Sequence, residues 1–213
     1  MSSRSPRRPA AGRPVGSHRE ATLARVLPAA RRLFAERGFA QTTFKDVAAA
    51  VGLTHAALYA YFGNKADLYL ATLDDTQALL LPEYRRAIAE GGNLRERIAG
   101  VLMASARAHD RDSSVSGFLA AVPIEIRRHP ELLGRMAGRQ DTIFAALEAL
   151  FDEARTSGEL AMDASNAELI SAFFGGGVGV ALFQYGMHAG ELSGAMAVFV
   201  RLLAGTAFAE QDK

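Results

Sequence analysis

Apolar residues recur at helical spacing along almost the whole chain, and this periodicity most narrows what the sequence can fold into. Positions 23, 26, 27, 30, 33 and 34 share one helical face, and similar stripes recur toward the C-terminus. No run alternates apolar and polar residues as a half-buried strand does, and no Asn-Gly or Asp-Gly hairpin turn occurs. The 213 residues, rich in alanine and 49% hydrophobic, therefore predict an all-α fold.

Glycine, proline and capping residues divide this pattern into about nine helices. Gly38 ends the first, and Pro28 either kinks it or opens its regular part. Thr54 and Asn64 have the side chains that cap helix N-termini, and Pro82 is expected to end the helix that Asn64 opens. The predicted helices span about 23–37, 44–51, 54–62, 65–81, 93–109, 114–128, 130–156, 163 or 165 to 187, and 191–209.

The charge is distributed unevenly along the chain. Residues 1–73 contain eleven Arg and Lys against four acids, a net charge of +7, whereas residues 74–213 carry −6. A basic first third indicates a polyanionic partner, although chance and a basic tail would give the same balance. Residues 1–18, rich in Pro, Gly, Ser and Arg, are predicted to be a disordered basic arm that either contacts DNA or is only solvated.

Composition and motifs argue against several other classes of protein. The chain has no cysteine, which fits a reducing cytoplasm, and its N-terminus does not resemble a secretory signal. Its five histidines show no metal-ligand spacing, and no catalytic motif appears, so we expect no metal, cofactor or catalytic residue. Two alternatives stay open, an all-helical enzyme using Glu125 and a helical adaptor that binds only protein.

Residues 43–62 form the pattern of two short helices joined by the turn Gly52-Leu53, which predicts a helix-turn-helix. On a helical wheel of the second helix, Leu58 and Phe62 face inward. His55, Ala56 and Tyr59 share the outer face, with Tyr61 on the opposite flank. Such a second helix lies in the DNA major groove. The competing interpretation is a surface helix with two half-exposed tyrosines.

Three segments resemble the DNA-binding domain of the TetR family of transcriptional regulators: AARRLFAERGF, TTFKDVAAAVGLT and LYAYFGNKADLY. They extend from about Ala29 to Leu73. The resemblance implies a DNA-binding domain over residues 19–80, preceded by the arm. It implies phosphate contacts from Thr43, Tyr59, Tyr61 and Lys65, and contacts to bases or phosphates from Thr54, His55 and Ala56. Lys45, a basic residue of the first helix of the motif, completes the predicted DNA-binding set.

The sequence departs from the family pattern at two of these positions. Ala56 stands where the family often has glycine, and Tyr61 where it often has histidine. Both substitutions are mild. They leave the operator sequence undetermined, but they do not argue against DNA-binding activity. The function implied is that of a cytoplasmic repressor that binds a pseudo-palindromic double-stranded operator and is released by a small-molecule effector.

Residues 81–213 are predicted to form a helical effector-binding and dimerisation domain, with the homodimer made by the last two helices. The run LISAFFGGGVGVALFQYGM, residues 169–187, is apolar almost all round and contains four glycines, each costing a helix about 1 kcal/mol against alanine. A close helix–helix approach would offset this cost. A single membrane span or a central core helix would explain the same run.

The effector is expected among the helices of this second domain, in an apolar pocket with a few polar groups. Pro123 marks a place where a helix can change shape. The alternative for each candidate is an ordinary core or surface position. The candidate contacts are Met103, Phe118, Ile124, Phe144, Leu147, Phe151 and Phe174, with His109, Gln184 and Tyr185 as polar partners.

Overall fold

The computed structural model describes residues 15–136, 142–187 and 190–208, and within these residues it contains ten α-helices and no strand. The prediction of an all-α fold is confirmed. In chain order the helices are α1 (Val15–Gln41), α2 (Phe44–Ala50), α3 (His55–Tyr59), α4 (Lys65–Glu90), α5 (Leu94–Arg111), α6 (Ser114–Arg128), α7 (Pro130–Met136), α8 (Thr142–Ser157), α9 (Asn166–Met187) and α10 (Leu192–Leu203).

Helix α1 is longer than its sequence predicted. It begins at Val15, so the last residues of the predicted arm are helical, while residues 1–14 lie outside the described part of the chain. It passes through Pro28 and breaks at Gly38, whose φ of 74° and ψ of 175° interrupt the helix where its end was predicted. One further turn, residues 39–41, follows the break.

Helix α4 continues through Pro82 to Glu90, so the predicted end near Leu81 was wrong. Proline removes one backbone hydrogen bond and clashes with the preceding turn, which usually ends or kinks a helix. Here Leu80 and Tyr84, on either side of Pro82, are almost fully buried, and their burial favours continuing the helix. The boundary expected between residues 80 and 81 therefore falls inside one helix.

Three further helices differ in their ends. α3 ends at Tyr59 and passes into a turn before Phe62, and α10 ends at Leu203. The single helix predicted over 130–156 is described as α7 and α8, and the residues between them lie outside the description.

The buried side chains form two cores. The first lies among α1–α4 and includes Phe34, Leu58 and Tyr69, and it also takes in Phe118 of α6 and Leu132 of α7. The second lies among α4, α5, α8, α9 and α10. Since α6 contributes to both cores and packs along α1, the helix-turn-helix region is braced directly by the second domain.

Candidate nucleic-acid interface

A capping box fixes the start of α2. The Thr43 hydroxyl oxygen accepts the Asp46 N–H at 3.2 Å, and the Asp46 carboxylate accepts the Thr43 N–H at 2.9 Å and its hydroxyl at 2.6 Å. These bonds satisfy N–H groups that a helix start otherwise leaves free. They lower the pKa of Asp46, with the Thr43 hydroxyl the largest cause.

The turn and cap before α3 set the direction of that helix. Gly52 has a φ of 68°, a left-handed conformation that a side chain would disfavour. Thr54 then accepts the Ala57 N–H at 3.1 Å on its side-chain oxygen. Leu58 is fully buried and Phe62 is 7% exposed, so both face inward as predicted. The helix is thereby held by two anchors with its other face turned outward.

Three rings pack together where α2 meets α3. The Tyr59 ring lies 4.7 Å from the Phe44 ring and 5.0 Å from the His55 ring, centroid to centroid. Phe44 is buried, whereas Tyr59 is 52% exposed. The buried phenylalanine therefore positions the tyrosine while its outer part stays in solvent.

Six of the eight predicted DNA contacts are exposed on α2, α3 and the residues that cap them: Thr43, Lys45, Thr54, His55, Ala56 and Tyr59. Tyr61 is half-buried on the other flank, with the guanidinium of Arg19 5.2 Å from its ring centre. Sequence reasoning missed Arg19 in this role. It also missed Arg25, whose guanidinium donates to the Val51 carbonyl and ties the end of α2 to α1.

Lys65 lies in a different environment from the one predicted for it. Its ammonium donates to the carbonyls of Phe39 and Ala40, at 2.7 and 3.1 Å, and lies 4.4 Å from the Phe39 ring centre. It therefore caps the end of α1. Burial lowers the pKa of Lys65, opposed by Glu131 and Glu125. Its predicted phosphate contact would have to compete with these carbonyls or use its backbone N–H.

Residues 26–72, which include α2, α3 and all eight predicted DNA contacts, match the family described as bacterial regulatory proteins, tetR family. This part of the chain is of the TetR family. Curated relatives agree with the match. The HTH-type transcriptional regulator TtgR of Pseudomonas putida is 47% identical over 53 residues, which are 25% of this chain and 25% of TtgR. The HTH-type transcriptional repressor KstR2 of Mycobacterium tuberculosis is 34% identical over 80 residues, 38% of this chain and 40% of KstR2.

These sequence similarities cover well under half the length of either relative. Solved structures extend the likeness to the second domain of the chain, at the level of the fold. FadR from Bacillus subtilis, in complex with stearoyl-CoA, has a TM-score of 0.73 and 18% identity over 86% of this chain and 98% of its own. KstR2 of Mycobacterium tuberculosis has a TM-score of 0.63 and 20% identity over 92% and 97%. The relatives are named regulators or repressors, in agreement with the expectation of a non-enzymatic protein.

The second domain encloses a small apolar cavity of about 50 Å³ among α4, α5, α6, α9 and α10. Phe174 lines it, and Leu147, Phe151 and Phe174 line a neighbouring cavity of about 20 Å³. These three predicted effector contacts thus come together. The hydroxyls of Tyr84 and Ser105 hydrogen-bond to each other in the wall. Sequence reasoning missed Tyr84 because it follows Pro82, where the helix was expected to end.

The other predicted effector contacts lie elsewhere. Phe118 is a residue of the first core, 5.0 Å from the Tyr69 ring, and is not in the cavity wall. Ile124 and Phe144 are 48% and 40% exposed, and Met103 is not among the residues that line either cavity. The sequence could not separate these positions because all fall on apolar helix faces.

The three predicted polar partners are also dispersed. His109 is buried beside a separate polar cleft, and burial lowers its pKa, opposed by Asp110 and Asp112. Gln184 donates to the Glu191 carbonyl at 3.4 Å. The Tyr185 ring packs so closely on Gly117 that a Cβ there would lie 2.5 Å from it. Tyr185 therefore fixes the approach of α9 to α6.

Helix α9 presents an exposed stripe of small and apolar residues. Gly175, Gly179, Leu182 and Phe183 are on it, whereas Leu169, Ile170, Gly177 and Ala181 face the core. Among the described residues, α9 alone is long and apolar enough to cross a membrane, with 17% of its most apolar window buried. A single such helix is weak support for a membrane span, and its inner face packs against α6 and α10. The exposed stripe still needs a partner surface.

Proposed function

We propose that this protein is a homodimeric transcriptional repressor of the cytoplasm, which binds a pseudo-palindromic operator and leaves it when a small-molecule effector binds. The proposal rests mainly on the outward face of α3. His55 and Ala56 are exposed in its first turn, where a recognition helix reaches base edges, and the phenol of Tyr59 is exposed beside them. Lys45 and the basic N-terminal third would supply phosphate contacts.

The dimer follows from the exposed stripe of α9. A Cβ added at Gly175 or Gly179 would meet no atom within 4 Å, so a second helix can approach the α9 backbone closely. Val198 and Leu202 of α10, a helix that packs against α9, are 59% and 46% exposed. A second copy would cover both helices. It would also hold the two copies of α3 at the spacing of successive major grooves, which lie about 34 Å apart.

The effector is proposed to occupy the apolar cavities of the second domain. Their linings are almost wholly aliphatic and aromatic, as expected for an apolar ligand. Two relatives of similar fold are consistent with this class: FadR was solved with stearoyl-CoA, and KstR2 is named a ketosteroid transcriptional regulator.

Helix α6 connects the proposed effector site to the DNA-binding domain, so it could transmit effector binding into release of the operator. Val115 and Ser116 line the larger inner cavity, and the adjacent Ser114 bonds to Arg31 of α1. An effector that shifts the start of α6 would therefore move α1 and the spacing of the two α3 helices. Coupling of this kind is typically about 1–3 kcal/mol.

Fluorescence anisotropy with duplexes from the region upstream of the protein's own gene tests the proposal. We expect tight binding that weakens steeply with salt. Tyr59→Phe, which keeps the ring packed on Phe44, should weaken binding about fivefold by removing one phosphate hydrogen bond. Tyr185→Phe, in the second domain, is the matched control. No binding at low salt, or equal affinities for the two variants, would contradict the proposal.

A further inference from the structure

Three cavities lie in a row through the second domain. The outermost is an open cleft of about 480 Å³ among α5, α9 and α10, and the cavities of about 20 and 50 Å³ lie behind it. Ile98 and Phe173 line both the outer cleft and the middle cavity. Val101 and Phe174 line both the middle and the inner cavity, and Leu102 lines all three. The row therefore leads from solvent to the start of α6.

Leu102, which lines all three cavities, is a side chain between them that can move. A Cβ at Gly177 would lie 2.7 Å from Cδ2 of Leu102 and 4.0 Å from Cε of Met196, so both side chains rest on the backbone of α9. Leucine and methionine change rotamer without displacing a helix, and methionine is especially adaptable. An alkyl chain could thus pass Leu102 by turning it aside, and Met196 could adapt to that chain in the inner cavity.

The mouth of the row carries a cation that has no partner within the described part of the chain. Arg95 lines the outer cleft and is exposed, and it makes no hydrogen bond or ion pair within the described part of the chain. Glu159, the carboxylate that lines the cleft, is already engaged, and so is Glu96, which follows Arg95 in the sequence. Glu159 accepts the Leu94 N–H and pairs with Arg97 at 3.2 Å, and Glu96 caps the start of α5.

We infer that the effector is an amphipathic anion, with its alkyl chain in the row of cavities and its carboxylate or phosphate at Arg95. The inference rests on the proposed function, because it names the ligand class of the effector site. The interior of the row of cavities is apolar, and the guanidinium of Arg95 lies at its mouth. This arrangement favours a ligand with an apolar chain and one negative charge at one end. The far end of the alkyl chain would reach Val115 and Ser116, beside the residue that holds Arg31.

Titration calorimetry of the full-length protein with four eight-carbon probes tests this inference: octanoate, octyl phosphate, octylamine and octanol. We expect at least one of the two anions to bind, octanol to bind more weakly, and octylamine not to bind. Comparison of octanoate with octyl phosphate identifies the preferred head group. Shortening the preferred anion from eight to six carbons should weaken binding about tenfold, since each buried methylene contributes about 0.8 kcal/mol.

Arg95→Gln is the decisive variant. It should weaken binding of the anion about five- to tenfold and leave octanol unchanged, because only the anion uses the guanidinium. Arg107→Gln, an exposed arginine on the same helix outside the cleft, should behave as the parent protein. Failure of both anions to bind, equal binding of octylamine, or an unaltered anion affinity in Arg95→Gln would overturn the inference.

Anisotropy with operator DNA on the same samples separates the two proposals. If DNA binds and neither anion does, only the assignment of the ligand class fails. If DNA does not bind, the proposed function fails whatever the calorimetry shows.

Discussion

The guanidinium of Arg31 in α1 lies 2.8 Å from the carboxylate of Asp112, in the turn between α5 and α6. It also donates to Ser114 at 3.2 Å and lies 3.6 Å from Asp75 of α4. The arginine is 4% exposed, so one buried cation connects the helix-turn-helix domain to two elements of the second domain. Burial alone would raise the pKa of Asp112, but bonds from Ser114 and Arg31 outweigh it and leave this pKa lowered.

Arg31→Met should lower the free energy of unfolding by about 3 kcal/mol, because it leaves Asp75 and Asp112 without their cation. Urea denaturation at neutral pH measures this loss. Arg32→Met, its exposed neighbour on α1, should change stability by less than about 0.5 kcal/mol. Equal losses in the two variants would mean that the cluster does not stabilise the contact between the domains.

Two buried tyrosines should respond oppositely to the same substitution. The Tyr69 hydroxyl is buried without a hydrogen-bond partner among the described residues, so Tyr69→Phe should stabilise the protein by about 1 kcal/mol. The Tyr84 hydroxyl bonds to Ser105, and Tyr84→Phe should cost about 1 kcal/mol. Burial raises the pKa of both phenols, that of Tyr84 to about 12, so both stay neutral in the assay. Thermal unfolding followed by circular dichroism would compare them, and shifts of the same sign would refute the argument.

Lys65 is predicted to contribute mainly to stability, and Lys45 mainly to DNA binding. Lys65→Gln removes a charged donor from the Phe39 and Ala40 carbonyls and should cost about 1–2 kcal/mol of stability, with little change in the salt dependence of DNA binding. Lys45→Gln, at an exposed position, should leave stability unchanged and reduce the salt slope by about 1. Urea titration and salt-dependent anisotropy test both variants. A reduced salt slope in Lys65→Gln would show that its ammonium leaves α1 for a phosphate.

Gly179→Leu should convert the dimer to a monomer without unfolding it. The glycine lies on the exposed stripe of α9 with open space around it, so a larger side chain fits the monomer but keeps a second helix away. Gly134→Leu on α7, also exposed with open space, is the control and should stay dimeric. Sedimentation velocity gives the oligomeric state. A dimeric Gly179→Leu protein, or a monomeric parent, would place the contact elsewhere or exclude it.

The capping box of α2 predicts a dependence of stability on pH. The pKa of Asp46 is lowered below its ordinary 3.8 in the folded state, chiefly by the Thr43 hydroxyl. A depressed carboxyl pKa contributes stability that is complete above the unfolded value and is lost as pH falls through the folded value. Thr43→Ala should therefore destabilise the protein more at pH 7 than at pH 3. Thr156→Ala, whose hydroxyl donates to the Asp152 carbonyl, should show no such difference in urea denaturation at the two pH values.

Local physics explains what the sequence alone determined about this protein. Thr43, Thr54, Asn64 and Asn93 each accept the backbone N–H of the residue three positions ahead, a bond that needs only neighbouring residues, and all four caps occur in the structure. The inward positions of Leu58 and Phe62 follow likewise from helical spacing. The fold class and the exposed face of α3 could therefore be predicted from the sequence alone.

Tertiary packing decided the rest, because those outcomes depend on residues far apart in the sequence. α4 continues through Pro82 because burial of Leu80 and Tyr84 outweighs one missing hydrogen bond. Phe118 belongs to the first core because α6 packs along α1, which no pattern within α6 reveals. Lys65 and Arg31 find partners 25 and 81 residues away, and the row of cavities exists only where helices from distant parts of the chain meet. Spacing within a helix shows which face is buried, but only the assembled helices determine what that face contacts.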